Sequence, residues 1–366
     1  MKNRTYNNMV EPERVLLVGV GINETITEDS LDELSKLCAT CNLTEVGRTV
    51  QNRKALDMTW AIGKGKVEEI HAICQHLEVD CVVFDIELKG SVVRNLENDL
   101  GVAVLDRSQV ILDIFAQRAQ SVEGKLQVEL AQLKYNLPRL VGRGGLLSKM
   151  RNAVGMRGPG EKKLELDKRT IRDEILELEK QIKKLSANRM LNKQQSKRSG
   201  ITRVALAGYT NSGKSTLLNT LTKADVVAED KLFATLDPKT ASIYLQNDDG
   251  TGTKVLITDT VGFIDKLPHE FIHAFESTLD EVRYADVILH VVDLSNVEFK
   301  KQIEVVNSVI QKIGAGNIPQ LLVFNKADKV APEFAKHFVK DYKDSITISA
   351  KSKTGLNQLK EKLKQY

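Results

Sequence analysis

Up to about residue 106, short apolar runs alternate with segments in which apolar residues recur every three or four positions. The apolar runs predict strands at 14–20, 45–51, 79–84 and 102–105. The periodic segments predict helices at 30–41, 66–76 and 91–100. Because strands and helices alternate, we predict a small, mostly parallel α/β domain over residues 1–106.

Two stretches of the middle section place leucine and isoleucine at alternating spacings of four and three. The first stretch carries Leu126, Leu130, Leu133 and Leu137. The second stretch carries Leu164 and, one full repeat of seven later, Ile171, followed at the same alternation by Ile175, Leu178, Ile182 and Leu185. Such spacing gives a helix an apolar seam that packs against another helix. We predict an antiparallel helical hairpin, a coiled coil, over residues 107–192; pairing between two copies of the chain is the competing interpretation.

The last section, residues 201–366, contains the stretch GYTNSGKS at 208–215, which fits the P-loop pattern G-x-x-x-x-G-K-[ST]. A strand is predicted before it and a helix after it, which is the order that phosphate binding requires. Backbone N–H groups of such a loop point at phosphate oxygens, and the helix presents its positive end to the same anion. Lys214 can reach the β- and γ-phosphates, and Ser215 can offer its hydroxyl to Mg²⁺. The competing interpretation is a glycine-rich turn with an exposed lysine.

Three more polar segments follow predicted strands. The first is DTVG at 259–262, where Asp259 can hold Mg²⁺ through a water and Gly262 can bring its N–H close to a γ-phosphate. The second is NKAD at 325–328, and the third is SAK at 349–351. The order of these pieces after the P-loop resembles the GTPase branch of the P-loop NTPases. The last section is therefore predicted to be a GTPase domain.

The preference for guanine depends on Asp328. Its carboxylate can accept hydrogen bonds from N1–H and the 2-amino group of guanine, whereas adenine presents an acceptor at N1 and has no 2-amino group. ATP would therefore leave a carboxylate facing a lone pair. Residues 349–351 are placed to meet the base from its other edge. The residues predicted to bind GTP are Gly208, Tyr209, Thr210, Asn211, Ser212, Gly213, Lys214, Ser215, Phe233, Ala234, Thr235, Leu236, Asp237, Asp259, Thr260, Val261, Gly262, Asn325, Lys326, Ala327, Asp328, Ser349, Ala350 and Lys351.

The segment FATLDP at 233–238, called here the switch segment, lies between the P-loop and DTVG. Thr235 can ligate Mg²⁺ and respond to the γ-phosphate, so that loss of the phosphate releases the segment; a plain turn is the alternative. Phe263 stands where many GTPases carry a glutamine that orients water, so we expect slow intrinsic hydrolysis. The catalytic group stays unassigned, although His269, Glu270 and His273 lie nearby.

Composition indicates a globular protein. The chain has 366 residues, of which 42% are hydrophobic and 28% charged, enough for two or three domains. No apolar run approaches the roughly 20 residues that span a bilayer, and the first residues lack the apolar core of a signal peptide. We therefore expect a cytoplasmic protein without a transmembrane segment. The cysteines, Cys38, Cys41, Cys74 and Cys81, favour reduced thiols over a zinc or redox site.

Positive charge is concentrated in the middle of the chain. Residues 107–198 hold 21 Lys and Arg against 10 Asp and Glu, a net charge of +11, although the whole chain carries only +4. The connection at 138–163 is rich in glycine, contains no aromatic residue and is predicted to be a loop. This composition favours recognition of RNA by shape and phosphate over a merely solvated loop tip. Its candidate RNA contacts are Arg139, Arg143, Lys149, Arg151, Arg157, Lys162 and Lys163.

Several motifs together resemble the HflX family of GTPases. They are IGKGKVEE at 62–69, ILDIFAQR at 111–118, GKLQVELAQLK at 124–134 and RGPGE at 157–161, with FATLD at 233–237 and DTVGF at 259–263. The resemblance implies an N-terminal α/β domain, a helical hairpin and a GTPase domain. It also implies Mg²⁺-dependent GTP hydrolysis stimulated by the ribosome, binding to the large (50S) ribosomal subunit, and splitting of stalled or idle 70S ribosomes. Lys162-Lys163 departs from the Thr-Gln that is common in that family.

The predicted organisation is a domain at 1–106, a hairpin at 107–192, a linker at 193–200 and a GTPase domain at 201–366, in a monomer. Two other functions stay open. One is a signalling GTPase that acts on a protein partner through the apolar seam, and the other is an RNA-remodelling enzyme with a nucleotide site in the first domain. For that site, GKGK at 63–66 could bind an anion at a helix start, although a tight turn explains it as well.

Overall fold

The computed structural model describes residues 12–23, 28–142, 159–197, 201–222, 232–246, 252–266, 271, 276–335, 342 and 344–366. These residues fall into two compact units. The first lies within Met1–Ile114 and Asn136–Lys168, and the second lies within Phe115–Tyr135 and Arg169–Tyr366. The boundaries of these units differ from the predicted domain boundaries, because the helices of the middle section are divided between them.

The first unit contains a four-stranded sheet with a helix after each strand. Its strands are β1 (Glu13–Ile22), β2 (Leu43–Arg53), β3 (Cys81–Phe84) and β4 (Ala103–Asp106). The order is β2-β1-β3-β4, and all neighbours are parallel. The helices are α1 (Glu28–Thr40), α2 (Lys64–His76), α3 (Gly90–Leu100) and α4 (Arg107–Arg118), of which α4 belongs to the second unit from Phe115 onward. The parallel α/β fold predicted for this section is confirmed.

Strand β1 is buried on both faces of this sheet. Leu16 and Val18 pack in one cluster with Ile70 of α2 and Leu96 of α3. Leu17, which points to the opposite face because side chains alternate along a strand, is also fully buried. A continuous apolar run is therefore what this strand needs, since parallel sheets are covered on both sides.

A buried ion-pair network lies just beyond β3 and at the end of β4. Arg107 Nη1 donates to Asp85 Oδ1 at 2.9 Å, and Arg107 Nη2 donates to Glu33. The side chains of Arg107 and Asp85 are 2% and 0% exposed. Ser30 Oγ donates to the other oxygen of Asp85 at 2.6 Å. Removing one partner from such a network is costly, because it leaves a buried charge uncompensated.

We expect Arg107→Leu to lower the free energy of unfolding of the first unit by about 3–5 kcal/mol, because the carboxylate of Asp85 loses its buried guanidinium. Trp60, the single tryptophan of the chain, lies in this unit, so urea unfolding followed by its fluorescence measures the change. Arg48→Met is the control, since Arg48 pairs with partly exposed carboxylates, where ion pairs contribute about 0–1 kcal/mol. Equal effects of the two substitutions would contradict the role of the network.

Helices α5 (Val122–Asn136) and α6 (Pro159–Lys197) occupy the region of the predicted hairpin, and a 3₁₀ helix follows α5 at Leu137–Gly142. Lys134 of α5 and Glu179 of α6 form an ion pair at 2.7 Å. Ile175 and Leu178, two members of the apolar series, are buried. Both helices are thus present, and their antiparallel pairing stays a prediction.

The loop and the linker that flank α6 were predicted too long. Helix α6 begins at Pro159, so the end of the predicted loop 138–163 is helical, and it continues to Lys197, so most of the predicted linker 193–200 is helical too. Proline suits a first helical position, because its φ is preset and the N–H it lacks would have no partner there. Residues 143–158 and 198–200 lie outside the described part of the chain.

The second unit contains a six-stranded sheet in the order β10-β9-β8-β5-β7-β6. Its strands are β5 (Thr202–Gly208), β6 (Lys239–Gln246), β7 (Gly252–Asp259), β8 (Val287–Asp293), β9 (Gln320–Asn325) and β10 (Ser345–Thr347). All neighbours are parallel except β6, which is antiparallel to β7. The helices are α7 (Lys214–Thr222), α8 (Glu276–Arg283), α9 (Phe299–Lys312) and α10 (Leu356–Leu363). Ligands of such sheets bind at the carboxyl ends of the strands, which is where the predicted motifs lie.

None of the helices in the described ranges is long and apolar enough to cross a membrane.

Candidate nucleotide-binding site

Glycines hold the P-loop in its fold between β5 and α7. A Cβ on Gly208 would overlap the carbonyl oxygen of Val291, and a Cβ on Gly213 would overlap the side chain of Asn325. Gly213 also has a φ of 91°, a conformation that residues with a Cβ rarely adopt. Residues 208–213 therefore form a tight loop that leads directly into the first turn of α7.

Lys214 opens α7 and turns its ammonium group back over the loop. Its Nζ donates to the carbonyl oxygens of Gly208 at 3.1 Å and Tyr209 at 2.9 Å. Burial lowers the pKa of Lys214 to about 8, and Asp259 opposes this shift. A phosphate at this position would favour the charged form, since an opposite charge stabilises a buried ammonium.

Three oxygen-bearing side chains meet next to this lysine. Ser215 Oγ donates to Asp259 Oδ2 at 2.6 Å, Thr235 Oγ1 donates to the same oxygen at 2.9 Å, and the two hydroxyl oxygens lie 2.9 Å apart. Asp259 is 0% exposed, and its Oδ1 has no hydrogen-bond partner among the described residues. Burial raises the pKa of Asp259, so a cation would favour its ionised form. Hydroxyl and carboxylate oxygens are ligands that suit Mg²⁺, and this donor set fits the predicted metal.

The end of the DTVG motif is bonded to the P-loop. Phe263 N donates to the carbonyl oxygen of Gly208 at 3.0 Å, and Thr210 N donates to the carbonyl oxygen of Phe263 at 2.7 Å. A Cβ on Gly262 would lie 2.9 Å from Thr210 Cα and 3.1 Å from Lys214 Nζ, so glycine is required for this approach. The ring of Phe263 is 1% exposed and belongs to the core. His269, Glu270 and His273 lie outside the described residues.

Asn325 ties the P-loop to the two loops predicted to bind the base. Its Nδ2 donates to the carbonyl oxygen of Ser212 at 2.9 Å, and its Oδ1 accepts from the backbone N–H of Ala350 at 3.0 Å. Asp328 Oδ1 accepts from Ser349 Oγ at 2.6 Å, and this bond holds the pKa of Asp328 below its usual value. NKAD and SAK therefore lie together, with the carboxylate of Asp328 ionised.

One contact at this edge was not predicted. Lys326 Nζ donates to the carbonyl oxygen of Asn211 at 2.8 Å and pairs with Asp293 Oδ2, also at 2.8 Å. Asp293 ends β8, which is a neighbour of both β5 and β9. The position of Asp293 at the end of an apolar run could have indicated that it belongs to the site, because the ends of parallel strands converge on one site.

Different residues of the switch segment contact different parts of the second unit. Ala234 and Thr235 line the same cleft as Thr210, Lys214 and Gly262. Phe233 lines this cleft as well, and both Phe233 and Leu236 are 2% exposed. The carboxylate of Asp237 accepts hydrogen bonds from residues 120 and 121. Only part of the predicted segment is therefore grouped with the P-loop in this arrangement.

Two candidate segments of the first unit make contacts within it. Lys66 of the GKGK stretch pairs with Glu69 at 2.7 Å. All four cysteines are free thiols, and burial raises the pKa of Cys41 and of Cys81 to about 12. The thiols are therefore neutral at ordinary pH. The described residues contain no group of three or more His, Cys, Asp or Glu that could hold a metal ion.

Three family models match consecutive parts of the chain. The model described as GTP-binding GTPase N-terminal matches residues 28–116, and the one described as GTP-binding GTPase middle region matches residues 118–197. The model described as 50S ribosome-binding GTPase matches residues 203–326.

Similar proteins match along nearly the whole chain. GTPase HflX of Caldanaerobacter subterraneus subsp. tengcongensis is 46% identical over 357 residues, which cover 97% of this chain and 81% of that protein. GTPase HflX of Escherichia coli is 38% identical over 350 residues, which cover 95% of this chain and 81% of that protein. The solved structure of SsGBP in complex with GDP has a TM-score of 0.52 at 26% identity and covers 96% of this chain and 98% of that one. The motifs, the fold and these relatives agree: the chain belongs to the HflX family of GTPases, and it binds and hydrolyses GTP.

Proposed function

We propose that this GTPase binds the large (50S) ribosomal subunit in its GTP state, through the basic middle section, and dissociates stalled or idle 70S ribosomes. The observation that carries the proposal is the net charge of +11 on residues 107–198, next to a GTPase domain in a chain of net charge +4. Concentrated positive charge is typical of proteins that bind phosphate backbones. The family model that matches residues 203–326 is that of 50S ribosome-binding GTPases, which supports the same partner and hence a cytoplasmic protein.

The nucleotide would act through residues that surround its phosphates. Lys214 would hold the β- and γ-phosphates, and Ser215, Thr235 and Asp259 would hold Mg²⁺, the last through a water. When bound there, Mg²⁺ would supply positive charge against the charge that develops on the phosphates during hydrolysis. Thr235 and Gly262 are the residues that respond to the γ-phosphate, so its loss releases both. Release of Thr235 and Gly262 changes which surface of the basic section is available to RNA.

The candidate RNA contacts are not equivalent. Arg139 Nη2 donates to Asp106 Oδ2 at 2.8 Å and to the carbonyl oxygen of Leu88, and its side chain is 15% exposed. This guanidinium belongs to the ion pairs of the first unit. The proposal therefore depends on the remaining basic residues, of which Arg143, Lys149, Arg151 and Arg157 lie outside the described residues and Lys162 and Lys163 lie in the first turns of α6.

We expect the triple variant Arg143→Glu, Arg151→Glu and Arg157→Glu to weaken binding to large subunits about tenfold or more, because three phosphate contacts become repulsive. Co-sedimentation with a non-hydrolysable GTP analogue measures the loss, and GTP hydrolysis by the isolated protein should not change. The matched control reverses the same amount of charge at exposed lysines elsewhere in the chain, Lys36, Lys54 and Lys312.

Wild-type binding by the arginine variant would contradict the proposal and favour a signalling GTPase with a protein partner. ATP turnover that survives Lys214→Ala would instead favour an RNA-remodelling enzyme with a nucleotide site in the first domain. Loss of binding in the arginine variant but not in the lysine control is the outcome that supports the ribosomal partner.

A further inference from the structure

The switch segment makes polar contacts with two different parts of the second unit. Thr235 Oγ1 donates to Asp259 Oδ2 in the cluster that suits Mg²⁺. Two residues further along, the carboxylate of Asp237 accepts hydrogen bonds from Gln120 and Ser121, the two residues that precede α5. One short stretch of chain therefore touches both the metal-donor cluster and a helix of the middle section.

Asp237 stabilises the start of α5. Its Oδ2 accepts from the backbone N–H groups of Gln120 and Ser121, each at 2.9 Å, and its Oδ1 accepts from Ser121 Oγ. Ser121 Oγ in turn accepts from the backbone N–H of Gly124 at 2.9 Å. Ser121 thus caps α5, whose first N–H groups have no partner within the helix, and the nearby positive end of the helix stabilises the carboxylate of Asp237. The contact is therefore charge-assisted, which makes it stronger than a bond between neutral groups.

Gly124 provides the space for this carboxylate. A Cβ at Gly124 would overlap Asp237 Oδ1 and would lie 3.0 Å from Ser121 Oγ. Gly124 lies inside α5, where glycine destabilises a helix relative to alanine. Gly124 thus weakens α5, but it leaves room for the carboxylate of Asp237, which any side chain at position 124 would displace.

An aromatic pair adds an apolar contact between the same parts of the chain. The rings of Phe115 in α4 and Phe233 in the switch segment meet edge to face, with centroids 4.7 Å apart. Both side chains are almost fully buried. Thr235 therefore lies between two residues, Phe233 and Asp237, that are each held by the stretch 115–121.

We propose that Asp237 is a positioning residue for GTP hydrolysis, which fastens the switch segment to Gln120 and Ser121 just before α5 and thereby holds Thr235 at the metal ion and γ-phosphate. Coupling of this kind is reciprocal: a nucleotide that fixes Thr235 strengthens the bond to α5, and a partner that displaces α5 slows hydrolysis. The inference rests on the role proposed above for Thr235, and it is independent of the ribosomal partner.

The test measures kcat, KM and the affinities for GDP and a non-hydrolysable GTP analogue. We expect Asp237→Ala to lower kcat about tenfold and to lower the preference for the analogue over GDP by a similar factor, because a charge-assisted contact is lost. Affinity for GDP should stay within about twofold of wild type, since Thr235 acts with the γ-phosphate. Asp237→Asn should be intermediate, because an amide oxygen still accepts from the two N–H groups but carries no charge.

The second variant approaches the contact from α5. Gly124→Ala should reproduce the effect of Asp237→Ala on kcat and on nucleotide preference, although it leaves the switch segment unchanged. Gly316→Ala is the control, since its Cβ would come no nearer than 3.5 Å to the side chain of Gln311. Thr235→Ala tests the threonine itself: kcat should fall if Thr235 acts with the γ-phosphate as proposed.

The outcomes separate the two ideas. A fall in kcat for Thr235→Ala together with wild-type kcat for Asp237→Ala and Gly124→Ala would overturn the positioning role alone. Wild-type kcat for Thr235→Ala would overturn the role of the threonine and the inference built on it. Parallel losses in all three variants, with wild-type behaviour of Gly316→Ala, support the inference.

Discussion

Lys214→Ala should weaken GTP binding by about 2–4 kcal/mol, which is roughly 30- to 1,000-fold. The ammonium group is buried against the P-loop carbonyl oxygens. In the variant, the phosphates would therefore enter a desolvated site that lacks a compensating positive charge. Because burial lowers the pKa of Lys214 to about 8 in the protein alone, binding to wild type should also weaken as pH rises above 8, where the lysine must first take up a proton. Isothermal calorimetry at pH 7 and pH 9 measures both effects.

The control for this variant is Lys254→Ala, which removes a lysine near the other end of β7 from Asp259. It should bind GTP as wild type does. The variant Lys214→Ala should also lose the pH dependence, because the titrating group is absent. Equal affinities of the two variants, or a pH dependence that persists in Lys214→Ala, would refute the assignment of this lysine to the phosphates.

Asp328→Asn should reverse the base preference from guanine to xanthine. The asparagine oxygen still accepts from N1–H, and its amide now donates to the 2-oxo group of xanthine but faces the 2-amino group of guanine. We expect GTP affinity to fall about 10- to 100-fold, because a charge-assisted hydrogen bond is replaced by two opposed donors. Competition between GTP and xanthosine triphosphate for the variant measures the change.

The neighbouring carboxylate provides the control. Asp293→Asn weakens the ion pair with Lys326 without presenting a new group to the base. It should lower the affinity for both nucleotides and leave their ratio unchanged. If Asp328→Asn still prefers GTP, the base is recognised by other residues.

The P-loop stretch and DTVG lie at the ends of neighbouring parallel strands. The stretch 208–215 runs from the last residue of β5 into the first turn of α7, and Ser215 contacts Asp259 at the end of β7. A motif at the end of a parallel strand is carried to one edge of the sheet, whatever the lengths of the connections. The alternating apolar pattern of the first section predicts its sheet for a similar reason, since each element needs only its own periodicity.

Contacts between single side chains that are far apart in sequence were not predictable. Asp237 was assigned to GTP, yet in this structure its carboxylate lies at the start of α5. Arg139 was assigned to RNA because of its charge, yet it pairs with Asp106. Such pairs depend on how helices and strands meet, and they leave no periodic signal in the chain. The early start of α6 at Pro159 was missed because glycines on both sides of the proline indicated a loop.

We propose that the guanine nucleotide controls whether the basic section binds ribosomal RNA. The most direct measurement compares co-sedimentation of the wild-type protein with large ribosomal subunits in the presence of a non-hydrolysable GTP analogue, GDP or an ATP analogue, together with the size of the 70S peak. We expect binding and a reduced 70S peak with the GTP analogue alone. Equal binding in all three conditions, or no binding with an unchanged 70S peak, would contradict it.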